Sequence, residues 1–287
     1  MREALAAALG DEVVALVAVA GGDLNDAFRA ELAGGARAFV KTARDAAPGA
    51  YAAEAAGLRW LAEPGALAVP AVLAVDERFL ALEWVEADGT RLDEAALGRG
   101  LAQIHRAGAP APGTLPPGVA GSALILGPLT LPNDPAPSWP AFYAANRLLP
   151  LARMAADRGA LDAGGVRAVE SVAARIDALA GPDEPVARLH GDLWSGNVHT
   201  GAGGRPWLID PAAYGGHREV DLAMLSLFRG RAGSGSAFGE AYDEVWPRAG
   251  GHAERTALWQ LFPLLVHAVL FGGGYGASAA RAAQRYG

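Results

Sequence analysis

The segment RLHGDLWSGNV, Arg188 to Val198, sets a histidine, an aspartate and an asparagine at the spacing H-G-D-x-x-x-x-N. Moving a phosphoryl group from a nucleotide to an alcohol calls for a carboxylate beside the attacking hydroxyl and for oxygen ligands that hold a magnesium ion. Asp192 is the candidate base on this pattern, and Asn197, five positions on, reaches back as a candidate Mg2+ ligand. Asp210 ends the β-like run WLI and is the second candidate ligand. Carboxylate and amide oxygens are hard donors that suit Mg2+ far better than zinc. The same residues would also serve as turn formers around a hydrogen-bonded core histidine, His190, so the other parts of a kinase site must be sought upstream.

Those parts can be found. In FVKT, Lys41 closes a buried-looking strand, where a charge is costly unless paired, and Glu54 on the following helix is its natural partner. Together they could hold the phosphates of ATP. Gly21, Gly22 and Asn25 in the turn GGDLN could lie over those phosphates through backbone N–H groups, although a glycine pair also makes an ordinary hairpin. The run LEWVE could connect two lobes and offer backbone groups of Glu83 and Val85 to an adenine, with Trp84 as readily a core residue.

The elements needed to place these residues are legible in outline. EALAAAL reads as a helix stopped by Gly10, and EVVALVAV, DAFRAEL and RAFVKT read as a meander of strands. A helix follows in YAAEAAGLRWLAE, then strands AVLAVD and FLALEWVE complete an antiparallel sheet of about five strands carrying one helix. From Asp93 the pattern is mostly helical, with Pro150 expected as a kink and a long Pro/Gly-rich connection from Ala109 to Pro137, functional or mobile by its length. Two short β-like pieces around TGAGGR frame the motif, and three helical segments finish the chain. The expected architecture is α+β: a sheet-rich lobe over residues 1–88 and a larger helical lobe over 89–287.

Composition narrows the classes. The chain has 287 residues, 52% of them hydrophobic, enough for a large core. Its 24 basic against 31 acidic residues give a net charge of -7 with no basic run, which argues against nucleic acid as a partner. The absence of cysteine excludes thiolate zinc sites, disulfides and cysteine nucleophiles. Acidic residues interrupt the apolar opening, and no stretch approaches a membrane span, so a cytoplasmic protein is expected, with a monomer as the default.

Taken together, GGDLNDAFR, FVK, EAAGLRWL, the long PN…W helix, HGDLWSGNV and DPAAYGGHREVDLAML resemble the fructosamine (ketosamine) 3-kinases, a branch of the aminoglycoside phosphotransferase and protein-kinase-like superfamily. The resemblance implies a two-lobe kinase fold and Mg2+- and ATP-dependent phosphorylation of the sugar 3-hydroxyl of a ketosamine, after which the product falls apart and frees the amine. By position, Asp192 matches the base, Asn197 and Asp210 the magnesium ligands, and Lys41 with Glu54 the phosphate-positioning pair. Asp221 matches a buried aspartate that orders the catalytic loop with His190. Trp194, His217, Arg218 and Glu219 fall where sugar contacts are expected; Trp194 could equally be a core aromatic, and Arg218 with Glu219 a surface pair. The other histidines, His105, His199, His252 and His267, lack metal-ligand spacing and read as structural or exposed.

Two departures stand out. Asp23 occupies a phosphate-loop position where many members carry cysteine, and GVAGSALILGPLTLPN replaces an aromatic-rich element before the PN…W helix. Competing expectations are a kinase of the same fold for aminoglycosides or choline-like alcohols, and an inactive nucleotide-binding module.

Overall fold

The computed structural model describes residues 1–19, 26–43, 46–228, 232–233 and 235–287. Gly21, Gly22 and Asn25, the expected phosphate-covering turn, lie outside the described residues. The first lobe opens with α1 (Arg2–Leu9), ended by Gly10 in the left-handed region at φ 69. Then follow β1 (Val13–Ala18), β2 (Asp26–Leu32), β3 (Arg37–Thr42), α2 (Ala50–Ala62), β4 (Val72–Asp76) and β5 (Phe79–Glu83). They form one antiparallel sheet in the order β1-β2-β3-β5-β4.

A helix covers each face of this sheet. Alternation along β5 sends Phe79 and Ala81 toward Leu5 of α1, and Leu80 and Leu82 toward Tyr51 and Leu58 of α2. Burial on both sides explains why this strand reads as an unbroken apolar run. Lys41 is paired in register with Leu80, so it shares the α2 face and meets Glu54 there.

The second lobe starts with α3 (Glu94–Ala107), whose N-cap Asp93 accepts from the Ala96 N–H. Next come the hairpin β6 (Leu124–Leu126) and β7 (Leu129–Leu131), then α4 (Trp139–Tyr143), α5 (Leu149–Asp157), α6 (Ala163–Ala174) and α7 (Ile176–Leu179). Strands β8 (Ala187–Leu189), β9 (Val198–Thr200), β10 (Pro206–Leu208) and β11 (Tyr214–Gly216) pair as β8 with β11 and β9 with β10. The helices α8 (Glu219–Leu227), α9 (Ser236–Val245), α10 (His252–Trp259), α11 (Leu261–Phe271) and α12 (Tyr275–Gln284) complete the chain. Among the described residues four helices follow α8 rather than the three segments expected, because the run from His252 to Phe271 breaks at Gln260.

At Pro150 the chain does not bend as a simple kink. The preceding residues Ala144–Leu148 take a π-turn. Proline lacks the N–H that would bond to the carbonyl four residues back, and the Arg147 guanidinium donates to that carbonyl, on Asn146, instead (3.0 Å). Arg147 is fully buried among Phe142, Tyr214 and Phe262, and it also donates to Pro132 O and Asn133 Oδ1, both at 2.8 Å. The connection from Ala109 to Pro137 is therefore anchored, and Leu124 and Leu126 of its hairpin line the cavity between the lobes.

Candidate active site

Strand β8 delivers the H-G-D turn, and Asp221 near the start of α8 holds it. The Asp221 carboxylate accepts the His190 N–H on Oδ2 (2.7 Å) and the Gly191 N–H on Oδ1 (3.0 Å). His105 of α3 donates to the same Oδ2 through Nε2 (3.2 Å), which leaves its Nδ1 to accept from the Tyr242 hydroxyl (2.7 Å). Of the two readings, structural or exposed, His105 takes the first: it is the buried brace behind the catalytic loop, and its partners lie so far along the chain that no spacing reveals them. Gly191 sits at φ 80 with the Ala212 carbonyl pressed against it, where a Cβ would lie 2.0 Å from that oxygen. His190 Nε2 meets the Ile209 carbonyl at 2.9 Å and must donate to it, so Nδ1 accepts the Asp192 N–H (3.3 Å). Burial lowers the pKa of this imidazole, consistent with the neutral tautomer those bonds require.

Asp192 and Asp210 face each other across this loop. Asn197, in the short 3-10 turn before β9, donates Nδ2 to the Asp192 carbonyl (2.8 Å) and to its Oδ2 (3.1 Å). Burial, then the charge of Asp210, pushes the Asp192 carboxyl up to about 7, against the pull of the Asn197 hydrogen bond. Asp210 has φ 53, the one non-glycine in the left-handed region among the described residues, a conformation that aspartate tolerates better than most. Lys41 Nζ bridges Glu54 Oε2 at 2.6 Å and Asp210 Oδ1 at 3.0 Å. Burial alone would lower the Lys41 ammonium, but these two carboxylates outweigh it and hold the pKa above its usual value. Burial raises the Glu54 carboxyl, and Lys41 opposes that rise.

Helix α2 is fixed to the second lobe at two points. Gly57 lies so close to the segment after Asp210 that a Cβ would stand 3.3 Å from both Pro211 and Ala213. Arg188 on β8 stacks over Trp60 and donates to the Trp60 carbonyl (2.6 Å) and to Glu63 (2.7 Å).

A cavity of about 780 Å3 lies between the two lobes, reached by Lys41, Glu54, Asp192, Asn197 and Asp210 together. Glu83, Trp84 and Val85 edge it where β5 leaves the sheet, and Trp194, 39% exposed, stands beside Asp192. His199 and His267 also line it, which nothing in their spacing announced.

Three expected sugar contacts are elsewhere. His217, Arg218 and Glu219 are buried behind β11, and none lines the cavity. A buried guanidinium needs acceptors, and Arg218 finds them in Glu184 (2.7 Å to each oxygen) and in the carbonyls of Trp246 and Pro247. Glu219 binds Arg255 through both oxygens (2.6 and 2.9 Å) and accepts from Trp259 Nε1. His217 stacks on Trp259 with ring centroids 5.1 Å apart. These residues join α8 to the end of α9 and to α10.

A sheet lysine joined to a helix glutamate and to an aspartate of the other lobe, opposite an H-G-D loop, defines a protein-kinase-like phosphotransferase. The sequence profile of the fructosamine kinase family matches residues 2–286, and the chain belongs to that family. It is 33% identical over 276 residues to the chloroplastic protein-ribulosamine 3-kinase of Arabidopsis thaliana, covering 93% of this chain and 81% of that one. It is 36% identical over 262 residues to a protein of Thermus thermophilus assigned as a ketoamine kinase, covering 89% and 87% of the two chains. A crystal structure of a protein from Thermobifida fusca assigned as a fructosamine-3-kinase superposes with a TM-score of 0.87 at 44% identity, over 99% of this chain and 98% of that chain. Among the described residues, no helix is long and apolar enough to cross a membrane.

Proposed function

We propose that this protein transfers the γ-phosphoryl group of ATP to the 3-hydroxyl of a ketosamine, a sugar-derived ketose carried on an amine or a lysine. The observation that carries this reading is the convergence of Lys41, Glu54, Asp192, Asn197 and Asp210 on one cavity in a chain of the fructosamine kinase family. Aminoglycosides and choline-like alcohols are not favoured as acceptors, nor is an inactive module.

The donor set fits a hard divalent cation. Asn197 engages its amide nitrogen with Asp192, leaving the amide oxygen to ligate, and among the described residues only Oδ1 of Asp210 is hydrogen-bonded, to Lys41. Bound Mg-ATP would supply the phosphoryl group and offset the charge that develops on its oxygens. Lys41, held by Glu54, positions the phosphates, and Glu83 and Val85 offer backbone groups to the adenine. Asp192 accepts the proton of the sugar hydroxyl as its oxygen bonds to phosphorus and the bond to ADP breaks. Asn197 steadies the Asp192 carboxylate in the meantime. Positioning by these side chains supplies most of the acceleration.

The test is magnesium-dependent ATP consumption on ribulose-lysine, fructose-lysine, an aminoglycoside and choline. Turnover confined to ketosamines, and lowered at least ~10²-fold in Asp192→Asn, is expected. Turnover on choline or the aminoglycoside alone, or near-normal activity of the variant, overturns the assignment.

A further inference from the structure

Helices α3 and α9 touch at the backbone. A Cβ on Gly98 of α3 would stand 2.3 Å from the Phe238 carbonyl oxygen and 3.1 Å from the Tyr242 nitrogen, so a larger residue there would push α9 away. Two turns further along the same face of α3, His105 meets the Tyr242 side chain. The rings pack edge to face with centroids 5.7 Å apart, and the hydroxyl donates to Nδ1 at 2.7 Å. Both side chains are fully buried, and the Tyr242 ring is held between the Phe238 ring at 6.1 Å and the Arg218 guanidinium at 5.7 Å. Burial raises the Tyr242 pKa, which keeps the hydroxyl proton on its oxygen.

A neutral imidazole has one N–H and one lone pair, and a carboxylate can only accept. With the Tyr242 hydroxyl on Nδ1, the proton of His105 is confined to Nε2, where it meets Asp221 Oδ2 at 3.2 Å. The same oxygen accepts the backbone N–H of His190, and Oδ1 accepts that of Gly191, the residue before Asp192. One buried line of hydrogen bonds therefore runs from a hydroxyl on α9, through α3 and α8, to the neighbour of the candidate base. Tyr242, His105 and Asp221 do not line the cavity, so none of them can act by touching a ligand there. We infer, resting on the ketosamine kinase reading, that Tyr242 is a positioning residue for phosphoryl transfer: by fixing the tautomer of His105 it fixes Asp221, and through Asp221 the turn that aims Asp192. Removal of the hydroxyl leaves Nδ1 buried without its donor, and the imidazole then gains by turning or by moving its proton. Asp221 loses a firm donor and its hold on the turn slackens. A base displaced by a fraction of an ångström slows the transfer, while ATP and sugar still meet the same lining side chains. The loss belongs in kcat and not in KM.

The experiment measures kcat and both KM values, with ATP and fructose-lysine, for the parent, Tyr242→Phe, His105→Gln, His105→Leu and the Tyr242→Phe/His105→Leu double variant. Tyr242→Phe is expected to lower kcat about tenfold with both KM values unchanged. His105→Gln, whose amide keeps an N–H for Asp221 and an oxygen for Tyr242, is expected to retain most of the turnover that His105→Leu loses. The double variant should be no slower than His105→Leu, because Tyr242 acts only through His105. Nitrogen-15 spectra of histidine-labelled protein read the tautomer directly: His105 should be protonated at Nε2 alone in the parent and at both positions in turn in Tyr242→Phe, with faster exchange of the Gly191 amide. Tyr242→Phe removes a single oxygen and carries the test even where His105→Leu does not fold. An unchanged kcat in Tyr242→Phe, a loss confined to KM, or full additivity in the double variant overturns the inference and leaves ketosamine phosphorylation in place. A parent inactive on fructose-lysine and ribulose-lysine overturns the ketosamine reading instead. The spectra then decide for Tyr242: an unmoved tautomer and Gly191 amide in Tyr242→Phe overturn its hold on the loop, and a shift of both upholds it.

Discussion

Arg188 and Trp60 join the two halves of the active site: the guanidinium on the strand before the catalytic loop stacks on the indole of α2 and donates to its carbonyl at 2.6 Å. The helix that carries Glu54 is thereby tied to the loop that carries Asp192, and Gly57 lets it lie directly on the segment after Asp210.

Widening that contact should uncouple the site. Gly57→Leu would drive α2 away from Pro211 and Ala213, at a cost of about 1–3 kcal/mol in stability for overpacking. We expect kcat to fall more than tenfold with the protein still folded, whereas Gly57→Ala, which asks its neighbours to yield only slightly, retains most activity. Arg188→Lys keeps the charge but loses the planar stack, and should raise the KM for ATP. Unchanged kinetics in both Gly57→Leu and Arg188→Lys would show that α2 keeps its place without these contacts.

Asp192 should weaken the fold that needs it. Its carboxyl titrates near 7 in the folded protein and near ~3.9 when unfolded, so the stability linked to its neutral form is complete in acid and lost as pH rises through 7. In protein free of nucleotide and metal, Asp192→Asn should therefore raise Tm above the parent by a margin that grows from about pH 4 to pH 7 and then levels off. A margin that stays flat across that range contradicts the environment described for this carboxyl.

Breaking the buried pair behind β11 should affect folding rather than substrate affinity. Burial would raise the Glu184 carboxyl, but the hydrogen bonds from Arg218 outweigh it and hold its pKa below the usual value. Its contribution is thus present above the ordinary glutamate range and lost as pH falls through the lowered value. Glu184→Gln should cost stability near neutral pH and lose much of that difference in acid. Arg218→Met, which leaves Glu184 buried without its partner, should cost about 3–5 kcal/mol. The KM for the sugar in the surviving folded fraction should stay unchanged; a rise without loss of Tm would return Arg218 to the sugar site.

The parts of this molecule that were legible in the sequence are those written in short range. Period-two alternation exposed β2 and β3, and short apolar runs exposed the other strands of the sheet; the alternation of β3 puts Lys41 on the face that meets Glu54. The H-G-D-x-x-x-x-N spacing is short enough for Asn197 to bond directly to Asp192. What stayed hidden depends on residues far apart. His105 reads as an ordinary helix histidine until Asp221 and Tyr242 fold against it. GHRE reads as a set of sugar contacts or a surface pair because Glu184, Trp246 and Arg255, which let it be buried, lie on other elements. The hairpin within residues 109–137 is obscured by its Pro/Gly-rich surroundings, and its anchor, Arg147, lies outside that segment altogether.

Arg147 bears on how the hairpin side of the cavity comes into being. Its charge is met by carbonyls, an amide oxygen and ring faces that share one place only after the helices of Phe142 and Phe262 and the strand of Tyr214 have assembled. Leu124, Leu126, Leu129 and Leu131 of the hairpin are buried against that same bundle, so the hairpin cannot stand before the bundle does. Damage to the distant bundle would then surface in the cavity that holds Asp192, and a lesion mapped by its kinetics alone would be sought on the wrong side of the molecule.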